Sequence, residues 1–187
     1  GLRNVEWSLK KMEWDNLFNY GEGNSINFDK LNGVVGVFGK NYSGKSSVID
    51  SALYTIYNSI SKNNRKNLNI INQNKQAGCG RVEIDIDGKA YIIERKSEKY
   101  KKKLHGEETD EAKTDVEFSM IDPATGEETS LNSLDRNGTD KEIRKIFGTI
   151  DDFLLTSMSS QMGAMTFINE GSTKRKEILA KFLDLDQ

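Results

Sequence analysis

The chain has 187 residues, of which 30% are charged and 35% hydrophobic, and its formal net charge at pH 7 is −2. This length allows one hydrophobic core with at most a small subdomain, and the nearly balanced charge gives no general attraction to nucleic acid or to a membrane surface. One cysteine and one histidine exclude a disulfide framework and argue against a zinc site, so a protein of the reducing cytoplasm is expected.

The first predicted elements are two strands and a turn. Residues 2–14 alternate loosely between apolar and polar and predict a strand, residues 20–25 predict a turn, and residues 25–28 predict a short second strand. The apolar run at 34–38 predicts a buried strand, and apolar residues at helical spacing from 48 to 60 predict a helix after it.

Between this strand and this helix lies the segment Gly39-Lys40-Asn41-Tyr42-Ser43-Gly44-Lys45-Ser46. It matches the P-loop pattern G-x-x-x-x-G-K-[ST], and it stands in the strand–loop–helix context that the pattern requires. The helix N-terminus and the flexible backbone of the glycines suit a polyphosphate. The residues expected to bring their backbone close to the phosphates are Gly39, Asn41, Ser43, Gly44 and Ser47.

Two side chains of the P-loop carry the chemistry of the predicted site. Lys45 can reach the β- and γ-phosphates as a point charge, and Ser46 can offer its hydroxyl to Mg²⁺. The sequence therefore predicts a binding site for ATP with Mg²⁺.

Beyond the first helix the pattern changes to that of an antiparallel sheet. Residues 61–77 predict a surface loop with Leu68, Ile70 and Ile71 as its only anchors, and the strict alternation at 81–87 predicts a strand that turns at Asp87-Gly88. Residues 90–95 predict its partner strand, a charged loop follows, and 115–121 predict a third strand.

The last predicted elements are helical. A helix is predicted from Thr139 to Phe147 with Gly148 as its stop, and residues 153–156 predict a strand or a short helix. Residues 172–185 predict an amphipathic helix.

A complete P-loop ATPase also needs an acidic residue at the end of a strand, where it holds Mg²⁺ through water. The nearest candidate is Ile84-Asp85-Ile86-Asp87, but its alternation is typical of a half-exposed hairpin strand. We therefore expect part of the catalytic machinery to lie outside this chain.

This combination resembles the N-terminal lobe of the SMC-related ABC ATPases, specifically the SbcC-type DNA repair ATPases and their phage counterparts. Residues 25–28 and 34–53, with the paired Ser46-Ser47, are similar to the opening of that family. Residues 154–165 contain Ser159-Ser160-Gln161, which resembles the glutamine loop, and residues 172–179 resemble the approach to a coiled coil.

The resemblance implies an α/β P-loop ABC-type ATPase lobe with a mixed sheet, spanning residues 1–187. It implies an antiparallel β-subdomain at about 80–122, a glutamine loop at about 157–165 and a coiled-coil root at about 172–187. The remaining catalytic motifs would lie in a C-terminal lobe of the same protein, and two heads would clamp two ATP molecules in a homodimer.

The function that the resemblance implies is an ATPase that gates an SbcD-like nuclease on DNA ends, in the cytoplasm or at the nucleoid. Lys45 and Gln161 would be catalytic, with Ser46 and Gln161 at Mg²⁺. From the residues alone, Gln161 is equally well interpreted as a polar residue of a connecting loop. The family often places a basic residue after its first strand, where this chain has none, so either Asn16 or Asn19 makes a polar contact there or that contact is lost.

Other functions stay open at this stage. A chromosome-organising or recombination ATPase without a nuclease would have the same motifs. A self-contained small P-loop kinase is a different class, although the chain has no arginine-rich lid and no Asp-Arg substrate pocket. A nucleotide-binding scaffold that never hydrolyses is a further alternative.

A basic run from Arg95 to Lys103 is followed by an acidic run at 107–111. The run is interpreted either as a phosphate-binding tip or as a flexible charged loop, and the acidic neighbours favour the loop. His105 is expected to be a solvated side chain without a ligand. Three methionines, Met158, Met162 and Met165, are expected to fill a core near the glutamine loop.

Overall fold

The computed structural model describes residues 7–28, 45–59 and 66–153. Within these ranges the strands are β1 Trp7–Asp15, β2 Asn24–Asn27, β3 Ala77–Ile86, β4 Lys89–Leu104, β5 Glu107–Ile121 and β6 Glu128–Ser130. The helices there are α1 Lys45–Tyr57, α2 Asn67–Ile70, α3 Arg136–Phe147 and α4 Ile150–Phe153. The predicted strand at 34–38 and the predicted helix at 172–185 lie outside the described residues.

The six strands form one sheet in the order β2-β1-β3-β4-β5-β6. Every strand pair in the described part of the chain is antiparallel, so the mixed character predicted for the sheet is not found in these residues. The first two strands therefore continue the same sheet as the later hairpins. Helix α1 packs on β3 and β4, and α3 packs on β5.

Two hairpins connect β3, β4 and β5. Asp87 and Gly88, with φ of 51° and 81°, form the predicted tight turn, since both central residues of a type I′ turn need positive φ. His105 and Gly106, with φ of 53° and 79°, form a second such turn. The prediction of a charged flexible loop after Arg95 is wrong, because cross-strand pairing continues out to Leu104 and Glu107.

The far end of the second hairpin extends beyond its neighbours. Strand β3 pairs with β4 only as far as Glu98, so residues 99–112 form a two-stranded ribbon. Its charged side chains pair across the strands, as in Lys101–Asp110 at 2.6 Å. Alternating opposite charges stabilise such a ribbon and explain why a polar sequence still forms strands.

The predicted surface loop at 61–77 contains one helical turn that was not predicted, and two of its three predicted anchors, Ile70 and Ile71, are buried as expected. Residues 67–70 form the single turn of α2, and Ile70 and Ile71 are 1% and 2% exposed. Leu17 forms an isolated antiparallel bridge with Ile71. This stretch is therefore fixed to the turn that follows β1.

An aromatic cluster joins the sheet to α3. The ring of Phe147 makes edge contacts with Trp7, Tyr91 and Phe118 at centroid distances of 5.6, 5.8 and 6.0 Å. Such edge-to-face pairs add to the free energy gained by burying the rings. They place α3 against the β5 side of the sheet.

Helix α3 begins at Arg136, three residues before the predicted start at Thr139, and ends at the predicted stop, Gly148. The carboxylate of Asp135 accepts a hydrogen bond from the amide of Gly138 at 2.7 Å, and Gly148 ends the helix with φ of 78°. We expect Asp135→Ala to lower the free energy of unfolding by about 1 kcal/mol. Chemical denaturation measures this loss, and Asp135→Asn, which keeps an acceptor, is expected to retain most of the stability.

Candidate functional site

Helix α1 begins at Lys45, the lysine of the P-loop pattern. Lys45, Ser46 and Ser47 form its first turn, where the backbone amides have no partner within the helix and can bind an anion. The start of the helix agrees with the prediction from the motif. The remaining predicted site residues, Gly39, Asn41, Ser43, Gly44 and Gln161, lie outside the described residues, as do the three methionines.

Two glycines of β3 make close contacts, Gly80 with α1 and Gly78 with the turn that follows β1. A Cβ on Gly80 would overlap the Oγ1 of Thr55 and lie 3.1 Å from its Cβ. A Cβ on Gly78 would lie 2.6 Å from the backbone oxygen of Asn16. Leu53 and Ile56 of α1 are fully buried, so the axis of this helix is fixed by close packing as well as by polar contacts.

A buried arginine holds the C-terminal end of α1. Arg95 on β4 is 0% exposed and donates from Nε to the carbonyl of Thr55 at 3.0 Å and from Nη2 to that of Ile56 at 3.2 Å. Nη2 also donates to the Oδ1 of Asp140 on α3 at 2.6 Å. These are two of the carbonyls that a helix leaves unsatisfied at its end, so Arg95 acts as a side-chain cap.

A chain of hydroxyl and amide groups runs beside this arginine. Tyr54 and Ser97 share a hydrogen bond of 2.5 Å, and Ser97 and Thr114 share one of 2.7 Å. Asn67 then donates from Nδ2 to Thr114 at 2.6 Å and to Asn58 at 2.9 Å. Burial raises the pKa of Tyr54 to about 12, so its hydroxyl stays protonated near neutral pH and can donate.

The turn after β1 has an unusual backbone. Asn16 and Phe18 have φ of 56° and 54°, a conformation that asparagine tolerates better than most residues and that is costly for a bulky residue such as phenylalanine. Hydrogen bonds hold the turn in place, from the amide of Phe18 to Ile70 O and from the amide of Asn72 to Asn16 O, both 2.7 Å. Leu17 between them is fully buried, so the turn is tied to the segment around α2.

A cavity of about 590 Å³ opens beside this turn and is lined by Phe18, Asn19, Leu68 and Lys99, among others. Asn19 is therefore accessible to a ligand. Asn16 has a buried side-chain oxygen without a hydrogen-bond partner among the described residues. Whether Asn16 or Asn19 makes the polar contact expected from the family stays a prediction.

The residues of the basic run lie in different environments, one in the core and others on the exposed ribbon. Arg95 faces the core, which makes its inclusion in a solvent-facing basic run wrong. Further out, Lys101 pairs with Asp110 at 2.6 Å and Lys103 with Glu108 at 3.8 Å. Because carboxylates neutralise these lysines, the ribbon gives little support to a phosphate-binding tip.

Three further observations concern metal binding, thiol reactivity and membrane-spanning helices in the described residues. They contain no cluster of three or more His, Cys, Asp or Glu side chains that could hold a metal ion. Burial, and then the nearby Asp15 carboxylate, raises the pKa of the Cys79 thiol to about 11, so this thiol is a poor nucleophile near neutral pH. No described helix is long and apolar enough to span a membrane.

Sequence reasoning missed the role of Arg95. The signal was present in the alternation of β4, because Arg95 lies in phase with Ile93, which is fully buried. A charged residue at an inward-facing position needs partners. What the sequence does not show is that those partners are the end of α1 and Asp140.

The family model of the AAA domain, AAA_23, matches residues 11–187 of this chain. Among curated proteins, the chain is 31% identical to protein R555 of Acanthamoeba polyphaga mimivirus. This match covers 97% of the present chain and 13% of R555. The chain is 26% identical to the SbcC component of the nuclease SbcCD of Clostridium acetobutylicum, over 87% of its own length and 14% of that protein.

A shorter match joins the chain to the DNA double-strand break repair Rad50 ATPase of Sulfolobus acidocaldarius, at 33% identity over 35% of this chain and 8% of that protein. Among solved structures, the recombination mediator RecF with ATP is similar at a TM-score of 0.41 and 13% identity, covering all of this chain and 41% of RecF.

The chain therefore spans only about one seventh of the length of the first two relatives. The structural similarity to RecF is low, and the family of the chain is shown by the sequence matches. The expected resemblance to SbcC-type ATPases is confirmed: the chain belongs to the AAA domain family and is a distant homologue of the SbcC and Rad50 ATPases.

Proposed function

We propose that this chain is the ATP-binding part of an SbcC-like DNA repair ATPase. The observation that carries the proposal is the start of α1 at Lys45, within the P-loop pattern at 39–46, in a chain of the AAA domain family related to a component of a nuclease. A helix that starts at this lysine provides backbone amides and a cation for a polyphosphate.

In this proposal the backbone of the P-loop surrounds the phosphates. Lys45 contacts the β- and γ-phosphates, Ser46 holds Mg²⁺, and Gln161 contacts Mg²⁺ or positions the attacking water. Bound Mg-ATP supplies the phosphoanhydride bond that is hydrolysed. Turnover is expected only when a second lobe and a second head complete the site, because the acidic residue that would hold Mg²⁺ through water is expected in the other lobe.

The partners in this proposal follow from the relatives. The chain would work with a C-terminal lobe of the same protein, a second copy of the head, an SbcD-like nuclease and DNA, in the cytoplasm or at the nucleoid. What supports this assembly is the similarity to the SbcC component of SbcCD. A nuclease that copurifies with the intact protein and cleaves DNA ends only with ATP is the expected observation.

The direct test replaces Lys45 by alanine. Mg-ATP binding, measured by isothermal titration, is expected to fall at least a hundredfold, because the phosphates lose their cation and the loop its main anchor. Lys102→Ala, at an exposed position of the ribbon, is the control and is expected to bind as the wild type does.

Normal Mg-ATP binding and turnover by Lys45→Ala would contradict the proposal. Robust turnover by a monomer of the unmodified chain would instead favour a self-contained enzyme such as a small kinase. Lys45-dependent binding without turnover is the result expected for a site that needs a second lobe.

A further inference from the structure

We infer that Arg95 is a positioning residue for the nucleotide site, acting through the far end of α1. The inference depends on the proposed function, since it assumes that the N-terminal end of this helix binds Mg-ATP. Arg95 contacts no part of the P-loop that the structure describes. It acts by fixing the helix that carries Lys45 and Ser46 in its first turn.

Arg95 holds α1 at the end opposite to the P-loop. Its contacts are the carbonyls of Thr55 and Ile56, about ten residues, or roughly 15 Å, from Lys45 along the helix axis. A helix is stiff over this length, so a tilt of about 5° at its fixed end moves the other end by about 1 Å. Displacements of that size in a phosphate site have large effects on function.

The geometry of these contacts suits an arginine and not a lysine. The guanidinium uses Nε and Nη2 for the two carbonyls, while Nη2 also donates to one oxygen of Asp140 and Nη1 reaches the other at 3.5 Å. A planar fork of donors can hold two helices and a strand in one geometry. Lysine keeps the charge but has neither the fork nor the fixed directions.

The contacts of Arg95 with α1 and Asp140 are buried, and neighbouring hydrogen bonds join the same elements. The arginine side chain is 0% exposed and that of Asp140 12% exposed, so little solvent can replace these bonds. The neighbouring hydrogen bonds from Tyr54 to Ser97 and from Ser97 to Thr114 fix the same end of α1 to β4 and β5. The sheet and α3 thus set the position of α1 jointly.

A consequence is that nucleotide binding and the packing of α3 are coupled. A shift of α1 on binding Mg-ATP would reach β4 and α3 through Arg95 and the contacts beside it. By linkage, a partner that binds α3 and changes the affinity for Mg-ATP by some factor has its own affinity changed by Mg-ATP by that same factor. Coupling of this kind between two sites is typically about 5- to 150-fold. The Arg95–Asp140 pair is therefore the contact to test.

The experiment compares Arg95→Lys with two controls in the intact protein, at a temperature where every variant is folded. The dissociation constant of Mg-ATP is expected to rise roughly tenfold for Arg95→Lys. Arg81→Lys, at a half-exposed arginine of the adjacent strand, controls for the exchange itself. Ile84→Val, in the buried core, controls for lost stability, and both controls are expected to bind within about twofold of the wild type.

An Arg95→Lys affinity equal to that of the wild type would overturn the inference, as would an equal weakening in Ile84→Val. If Arg95→Lys does not fold, Asp140→Asn serves as the second variant. It keeps the shape of the side chain and removes only its charge, and it is expected to weaken binding in the same direction.

The wild type and Lys45→Ala are measured alongside these variants. If the wild type shows no Lys45-dependent Mg-ATP binding, the proposed function fails and this inference fails with it. If that binding is present but Arg95→Lys binds normally, the inference alone is wrong and α1 is positioned by packing.

Discussion

Asp140→Ala is expected to lower the free energy of unfolding by about 3–5 kcal/mol, because it leaves the charge of Arg95 buried without a counterion. The side chain of Arg95 is 0% exposed, so water cannot take the place of the carboxylate. The carbonyls of Thr55 and Ile56 stay as partners, but they are neutral. Equilibrium denaturation with urea measures the loss.

The matched control is a pair with the same separation in a different environment. Lys101 and Asp110 are also 2.6 Å apart, but their side chains are 67% and 57% exposed. Asp110→Ala is therefore expected to cost less than about 1 kcal/mol. Equal losses in the two variants would show that burial does not determine the strength of these pairs, and would contradict the prediction for Asp140.

The local elements of this chain are well predicted from its sequence. The helix after the P-loop, the turn at Asp87-Gly88 and the helix ended by Gly148 are all present, and each depends on residues close together in the chain. Hydrophobic spacing and turn residues act over a few positions, so the sequence displays them directly.

The errors arise where distant segments supply the stabilising contact. The charged residues of the ribbon predict a loop, yet lysines of one strand face acidic residues on the other. The one-turn helix at 67–70 is fixed by residues such as Leu17 and Phe18. Such pairing depends on register, which a single sequence does not display.

In the candidate site, too, the contribution of neighbouring residues can be predicted from the sequence, and that of distant segments cannot. The P-loop motif gives the ligand class and the residues expected to bind it, because the chemistry requires those residue types at that spacing. The support behind it, Arg95 with Asp140 and Gly80 of β3, comes from three separate parts of the chain. Their roles become visible only when α1 is placed on the sheet.

Gly80→Ala is expected to lower the free energy of unfolding by about 1–3 kcal/mol, as overpacked core positions do. The added Cβ would overlap Thr55 Oγ1 and lie 3.1 Å from its Cβ. Thr55 cannot easily turn away, since it is fully buried and its hydroxyl donates to Ser51 O at 2.7 Å. The sheet and α1 must therefore move apart. Thermal and urea denaturation measure the loss.

The double variant Gly80→Ala with Thr55→Ala separates this steric cause from a general intolerance of the strand. Thr55→Ala alone removes one hydrogen bond and is expected to cost about 1 kcal/mol. In the double variant the methyl group added at position 80 occupies the space that the threonine side chain leaves, so the combined loss is expected to be smaller than the sum of the single losses. Strictly additive losses would mean that contact with Thr55 is not the reason for a glycine at position 80, and that α1 does not depend on this close approach.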